Sequence, residues 1–481
     1  MIERKRFAKA KIGIFAVSHG IYDSQFPGLY DNFRKYHADL INKLEGNGVE
    51  IADFGIVDSS ERAFEVAEEM RGASLDLLVC NMITYATSSV FAPILRNSGV
   101  PMILAALQPR SAMDYTKAST FMQLENDNIC SVPEFMGVAA RMGKKIYDVV
   151  IGKLYNDEEA DRELRRWCDI AKVLNSLRGA RMGLMGHTLE AMYDMHANPT
   201  AIAAAFGVHV PLLEVDEVAE IYKSVTDEEI AEQVAIIDRE FDTPDPGSDP
   251  LATKLTEADK LRAARAAATL EKFVEKRGLT GLAYYYEGAP DSLNREVVSN
   301  FIVGNSILNA EGVPMCGEYD IKTCIAMLIM DRLGIGGSFA ELHPFDFDGD
   351  FILVGHDGPH HIAIADGKPK LRSLSKYHGK FGSGASVEFK IKSGEITIFG
   401  ITERADGSFK FVIGEGYSED GPIPPTGNTN TRGRFLPDTK TFIKKWVMEG
   451  PTHHYALGVG HHAETIAKIA EVLGIDYVIV K

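Results

Sequence analysis

The sequence predicts an α/β protein, with two doubly wound parallel-sheet domains followed by a β-rich, antiparallel, barrel-like C-terminal domain. Three observations carry that prediction. Continuous apolar runs alternate with helical patterns over the first 150 residues, as buried parallel strands and their crossover helices require. A second series of the same kind restarts at Arg181-Met182-Gly183-Leu184-Met185-Gly186. After about Gly334 the texture changes to short strands joined by turns such as Ser393-Gly394 and Asp406-Gly407, which is antiparallel grammar.

In the first series the strands are Ile12 to Val17, Ile51 to Val57, Leu75 to Cys80 and Val100 to Ala105, with a long amphipathic helix from Tyr30 to Leu44. Ligands of doubly wound sheets sit beyond the strands' C-terminal ends. That rule puts Ser18-His19-Gly20-Ile21-Tyr22 and the loop after Met82 on a functional rim. The charged stretch Asn156 to Arg166 is helical and crosses to the second series. There, Val208 to Val215 and Leu279 to Tyr286 are strands, and Glu257 to Lys276 is a helix. Thr243 to Pro250 is polar and proline-rich, a surface loop within the domain. The third texture holds strands at Phe351 to Val354, His361 to Ala365, Ala385 to Ile391, Glu395 to Thr402 and Phe409 to Ile413. A helix from Ala463 to Leu473 and a strand from Tyr477 to Val480 close the chain. The domains are thus 1–178, 179–334 and 335–481.

Composition excludes several classes. A chain of 481 residues exceeds one core and predicts several domains. A net charge of −17 argues against nucleic acid or an anionic membrane as the main partner. No apolar run approaches the ~20 residues that span a bilayer. The charged start, Met1-Ile2-Glu3-Arg4-Lys5-Arg6, leads into a strand without a secretory h-region. Five scattered cysteines without a CxxC pair agree with a reducing, cytoplasmic setting. There is no GxGxxG fingerprint, P-loop or GxSxG elbow, so nucleotide binding and serine hydrolysis have no support.

The chemistry concentrates in the second half. Gly317-Glu318-Tyr319-Asp320-Ile321-Lys322-Thr323 sets a carboxylate at a strand-to-helix junction, where a first-turn glutamate also complements the helix dipole. Glu341 follows the glycine loop Gly336-Gly337-Ser338 among apolar neighbours, where a carboxylate needs a partner. His356 ends a hydrophobic strand, and His453, His454, His461 and His462 fall within ten residues. Carboxylates and imidazoles together suit a divalent metal acting on an oxygen-rich substrate. Spacing leaves His360, His361 and Cys316 open as alternative ligands. Tyr284-Tyr285-Tyr286-Glu287 is an aromatic strand end, either a packed strand or a ligand-facing wall. Thr426 to Arg432 is a polar loop.

These stretches resemble the L-arabinose isomerase family, within the arabinose/fucose isomerase group. Gly317 to Thr323 resembles the family's GEGDxKT segment, and Gly336 to Glu341 its glycine-loop glutamate. Gly355-His356 and His453-His454 match a strand-end histidine and an HH pair, in the same order. Glu134-Phe135-Met136-Gly137 and Ala140-Arg141-Met142 add a minor match. The resemblance implies that Glu318, Glu341, His356 and His454 bind Mn²⁺, with Co²⁺ or Mg²⁺ as substitutes. It further implies that Glu318 and Glu341 carry the proton transfers of an aldose–ketose isomerisation through an enediolate, and that the protein is a homo-oligomer, a hexamer whose sites a neighbouring subunit completes.

Two departures concern the sugar pocket. Where the family reads GSQHLYG this chain has Val17-Ser18-His19-Gly20-Ile21-Tyr22-Asp23, and where it reads TTFED this chain has Tyr284 to Gly288. They imply a substrate other than L-arabinose, with His19, Tyr22, Tyr286 and His461 as pocket walls. A metal-dependent epimerase or lyase, or a non-catalytic sugar-binding or sensor protein, is the alternative.

Overall fold

The computed structural model describes residues 2–190 and 192–481. The chain forms two compact units, one of Ala8–Ser176 and the other of Met1–Phe7 with Leu177–Lys481.

The Ala8–Ser176 unit is a five-stranded parallel sheet with strands β1 (Lys11–Val17), β2 (Glu50–Val57), β3 (Leu77–Met82), β4 (Met102–Gln108) and β5 (Asp148–Lys153). Their order is β2-β1-β3-β4-β5, all parallel. β1, β3 and β4 are almost wholly buried, because helices cover both faces; this is why their sequences are continuously apolar rather than alternating. The order reverses between β1 and β3, and a doubly wound sheet opens its crevice there. His19 and Tyr85 follow those two strands with ring centroids 6.2 Å apart, and His19 meets Tyr22 at 5.4 Å.

The second unit opens with a parallel sheet of β6 (Met182–Gly186), β7 (Leu212–Leu213), β9 (Gly281–Tyr285) and β10 (Met315–Cys316), ordered β10-β9-β6-β7; β8 (Ala252–Lys254) lies between β7 and β9 in the chain but outside this sheet. Six later strands close an antiparallel barrel. They are β11 (Gly336–Asp346), β12 (Phe351–His356), β15 (Gly394–Glu403), β16 (Phe409–Glu419), β17 (Thr429–Phe435) and β18 (Tyr455–Val459). The order β15-β18-β11-β12-β17-β16 is closed by β15–β16 pairing, and β19 (Asp476–Val480) adds to β16 in parallel. Closure removes exposed strand edges. β13 (Lys370–Leu374) and β14 (Gly384–Glu388) pair with β8 in a small antiparallel sheet. Ile396, Ile398, Val412, Phe435, Phe442, Trp446 and Leu457 belong to one buried cluster in and around the barrel. Each fully buried side chain of this kind stabilises the fold by roughly 1.5–3 kcal/mol.

Local differences from the sequence reading have identifiable causes. His361 to Ala365 is not a strand but a largely buried connection with one 3-10 turn at Ile362–Ile364; Ile362, Ile364 and Ala365 fill the core from an irregular backbone. Of Val208 to Val215 only Leu212–Leu213 is a strand. Thr429 to Arg432 is part of β17 rather than a loop; its polar residues are satisfied inside the barrel, where the Ser418 and Thr431 hydroxyls pair at 2.8 Å. The glycine stretch Gly336-Gly337-Ser338 is not a loop but the start of the long strand β11, which also holds Glu341.

Candidate metal centre

The parallel sheet and the barrel meet at this site, within one compact unit. Glu318 comes from the loop between β10 and the helix Ile321–Arg332, at the C-terminal edge of the parallel sheet. Its backbone φ is +54° and that of Tyr319 is +66°, two successive non-glycine residues in the left-handed region. Each such residue costs of order 1–3 kcal/mol and persists where surroundings hold it. The barrel supplies the rest. Glu341 on β11 stands opposite Gly355, the neighbour of His356 on β12, while Ala340 pairs with Tyr455, the neighbour of His454. A Cβ at Gly355 would meet the Thr429 carbonyl oxygen at 2.0 Å, so only glycine permits this strand approach.

Four side chains converge. His454 Nε2 is 3.2 Å from Glu318 Oε2, and His356 Nε2 is 3.7 Å from both Glu318 Oε1 and Glu341 Oε1. The two imidazole centroids are 5.2 Å apart, and Phe339 packs against both. Glu318, His356 and His454 offer ligand atoms within 4.8 Å of one another, as do Glu341, His453 and His454. The Nε2 atoms of His356 and His454 are buried and make no well-formed hydrogen bond within the protein. Buried polar atoms left so are costly. Two carboxylates and two such nitrogens make a donor set that fits a divalent cation.

An outer layer orients this set. Asp320 Oδ2 stands 3.2 Å from His454 Nδ1, and Asp357 Oδ1 stands 3.1 Å from His356 Nδ1. A carboxylate hydrogen-bonded behind an imidazole fixes its tautomer and raises its basicity, as Asp320 does at His454, whereas the Asp357 approach to His356 is an ion-pair contact without hydrogen-bond geometry. Glu341 is also approached by His453 Nε2 at 2.6 Å and His343 Nε2 at 3.0 Å, and His343 Nδ1 is 2.6 Å from Asn430 Oδ1. Burial acts to raise the Glu341 pKa, but His343, His453 and the nearby imidazoles outweigh it and hold the carboxyl well below the usual range. Glu318 follows the same balance, with burial opposed by His454 and His356. For His454, burial works against the charged form, yet Asp320 and Glu318 push its pKa up to about 9.

Sequence reasoning reached four members of this cluster and missed His343, Asp320 and Asp357. Asp320 and Asp357 lie within two residues of Glu318 and His356, a usable signal for partner carboxylates. No strand is read over residues 336–346 in the sequence, and on β11 residues i and i+2 share a face, which sets His343 beside Glu341. Of the remaining residues, Tyr286 lines a cavity with Glu318 and His356, whose other walls include Tyr285, Lys380 and Phe381. His461 sits at the barrel's end, its Nε2 donating to the Gly416 carbonyl at 3.0 Å and its ring against Tyr417. His19 and Tyr22 belong to the Ala8–Ser176 unit. His360 and His361 contact Ser338 and Asp331 instead of the cluster, and the Cys316 thiol contacts the Asp320 carbonyl.

Residues 368–481 match the family model described as the L-fucose isomerase C-terminal domain. The L-arabinose isomerase of Bacillus subtilis is 24% identical over 359 residues, 72% of this chain and 69% of that protein. A sulfoquinovose isomerase of Priestia aryabhattai is 21% identical over 445 residues, 92% of this chain and 94% of that protein. Over most of its length the chain is similar to proteins of the arabinose/fucose isomerase group. The architecture is two parallel sheets and a closed antiparallel barrel, as the resemblance implies. Among the described residues, no helix is long and apolar enough to cross a membrane.

Proposed function

We propose that this protein is a divalent-metal-dependent aldose–ketose sugar isomerase acting through an enediolate, with a substrate other than L-arabinose. The observation that carries the reading is the convergence of the buried Nε2 atoms of His356 and His454 on the carboxylates of Glu318 and Glu341. Those four residues would hold Mn²⁺, with Co²⁺ or Mg²⁺ as substitutes. Bound there, the ion would supply Lewis-acid stabilisation of developing negative charge, worth several kcal/mol.

The chain's own residues do the rest. Glu318 and Glu341 are held ionised at neutral pH by their imidazole neighbours, so either can accept a carbon-bound proton at C2 and return it at C1. Positioned acid–base groups of this kind contribute about 10²–10⁴-fold. His343 and His453, both on Glu341, are placed to stabilise its anionic form between transfers. Tyr286 flanks the reacting end as a pocket wall, and His19, Tyr22 and His461 are assigned to substrate contact on resemblance alone.

The decisive experiment is incubation with Mn²⁺ and a panel of aldopentoses, aldohexoses, deoxy-sugars and sulfoquinovose in D₂O, followed by NMR. Ketose carrying deuterium at C1 supports isomerisation. Deuterium at the original stereocentre without ketose identifies an epimerase, and cleaved product a lyase. Binding without turnover of any sugar identifies a sensor protein and overturns the reading.

The same proposal includes a cytoplasmic homo-oligomer, a hexamer by family resemblance, built from domains 1–178, 179–334 and 335–481. Five free cysteines, four of them buried, support a reducing compartment. Light scattering tests the assembly, and limited proteolysis the boundaries.

A further inference from the structure

Lys322 is the one residue of the Gly317 to Thr323 motif with a charged head that the chemistry above leaves unused. It is 1% exposed, on a helix buried along its whole length. Burying an ammonium is costly unless its donors are met. Lys322 Nζ donates to the carbonyl oxygens of Asp194 at 2.7 Å and His196 at 3.0 Å. These carbonyls belong to the surface segment around the single turn Tyr193–Met195, where Tyr193 is 82% exposed and Met195 alone is buried. The same segment reaches back to the metal centre: Asp194 Oδ2 accepts from the His453 backbone N–H at 2.9 Å. His453 in turn places Nε2 2.6 Å from Glu341, and His454 follows it in the chain.

The opposite side of Lys322 faces the second imidazole's support. Asp320, two residues earlier, is the carboxylate behind His454 and feels the lysine's charge. Thr323, one residue later, donates through Oγ1 to Asp320 Oδ2 at 2.7 Å and to the His454 carbonyl at 3.3 Å. One helical turn therefore grips both members of the His453–His454 pair, directly at His454 and through the Asp194 turn at His453.

We propose that Lys322 is a positioning residue, which sets the His453–His454 pair by pinning the Asp194 turn. The inference rests on the metal-centre reading above for its functional consequence, but not for its geometry. Its role is structural preorganisation: with the turn released, His453 loses its amide anchor and Glu341 one of its two imidazole partners.

The test uses the full-length protein and the variants Lys322→Met, Asp194→Ala and Asp194→Asn. Mn²⁺ affinity is measured by calorimetry, kcat and KM at saturating Mn²⁺, and exchange of the His453 amide by hydrogen exchange. Lys322→Met and Asp194→Ala are expected to weaken Mn²⁺ about 10–100-fold, the usual effect of losing an outer partner. In both, kcat falls more than KM rises, and the His453 amide exchanges at least roughly tenfold faster, the loss expected for one broken hydrogen bond. Asp194→Asn keeps an acceptor oxygen and is expected to retain most of the affinity. If Lys322→Met does not fold, the exposed Asp194 pair decides the matter. Parental Mn²⁺ affinity and parental His453 exchange in both Lys322→Met and Asp194→Ala overturn the proposal. A parent protein that binds no Mn²⁺ overturns the metal reading instead, and the His453 exchange comparison still decides the positioning role.

Discussion

Asp320 and His454 meet completely out of solvent, Oδ2 to Nδ1 at 3.2 Å with both side chains 0% exposed. A carboxylate there keeps the Nδ1 proton in place and turns Nε2 toward Glu318. Asp320 also caps the following helix, its Oδ1 accepting from the Thr323 N–H at 3.0 Å. Asparagine preserves the cap but removes the charge. Asp320→Asn is therefore expected to keep the helix cap but to lower the melting temperature of the metal-free protein at pH 7, where His454 loses its buried counter-charge, and to bind Mn²⁺ about 10–100-fold more weakly. Calorimetry beside a thermal melt separates the two effects; parental affinity would show that the charge behind His454 is irrelevant.

The pH response follows from the same pair. The His454 pKa is raised to about 9 by Asp320 and Glu318 despite burial, above the ~6.5 of a free histidine. A raised histidine value stabilises the fold fully below ~6.5, and the contribution fades as pH climbs through about 9. Metal-free protein should thus lose stability between those limits. A metal needs neutral imidazole, so its binding at pH 7 must expel this proton. Calorimetry in buffers of different ionisation enthalpy is expected to detect about one proton released per Mn²⁺ at pH 7 and almost none above pH 10. An equal, near-zero release at both values would contradict the assignment of His454 as a ligand.

Glu341→Gln removes the carboxylate that His343 and His453 both address. The amide is isosteric and cannot accept a carbon-bound proton. We expect kcat to fall about 10²–10⁴-fold with the fold intact. Glu318→Gln should act in the same direction, and turnover within twofold of the parent in either variant would remove that residue from the proton-transfer role.

How far the chain could be read in advance depended on what each residue's neighbours are. β1, β3 and β4 are buried on both faces, so their apolar runs were plain. The barrel was legible where strands carry isoleucine and phenylalanine, as in β15 and the start of β16, and obscure where polar side chains face inward. Thr429, Asn430 and Thr431 of β17 are buried and hydrogen-bonded, and nothing in their hydropathy marks a strand. At the site, Glu318, Glu341, His356 and His454 were visible as residue types. Their convergence depends on register, Glu341 opposite Gly355 and Ala340 opposite Tyr455, which no spacing along the chain encodes. His343 reaches Glu341 only because both stand on one face of β11, a strand that the sequence pattern does not mark.

The N-terminal segment shows a dependence that local pattern could not reveal. Residues 2–7 join the unit of Leu177–Lys481, with the Lys5 and Arg6 N–H groups donating to the Glu311 carbonyl at 3.1 and 2.9 Å. Arg4 pairs with Asp331 at 2.5 Å; Asp331 also faces the buried Arg332 and stands 3.3 Å from His361 Nε2. The Asp331 side chain is 1% exposed, whereas that of Arg4 is 28% exposed. Removing the buried partner strands Arg332 without its counter-charge, at a cost of about 3–5 kcal/mol. Removing the partly solvated Arg4 leaves Asp331 still paired and should cost only ~1 kcal/mol. Urea denaturation of Asp331→Ala and Arg4→Ala is expected to show this asymmetry. Equal losses in the two variants would mean that the N-terminal contact, rather than the buried Asp331–Arg332 pair, holds this corner together.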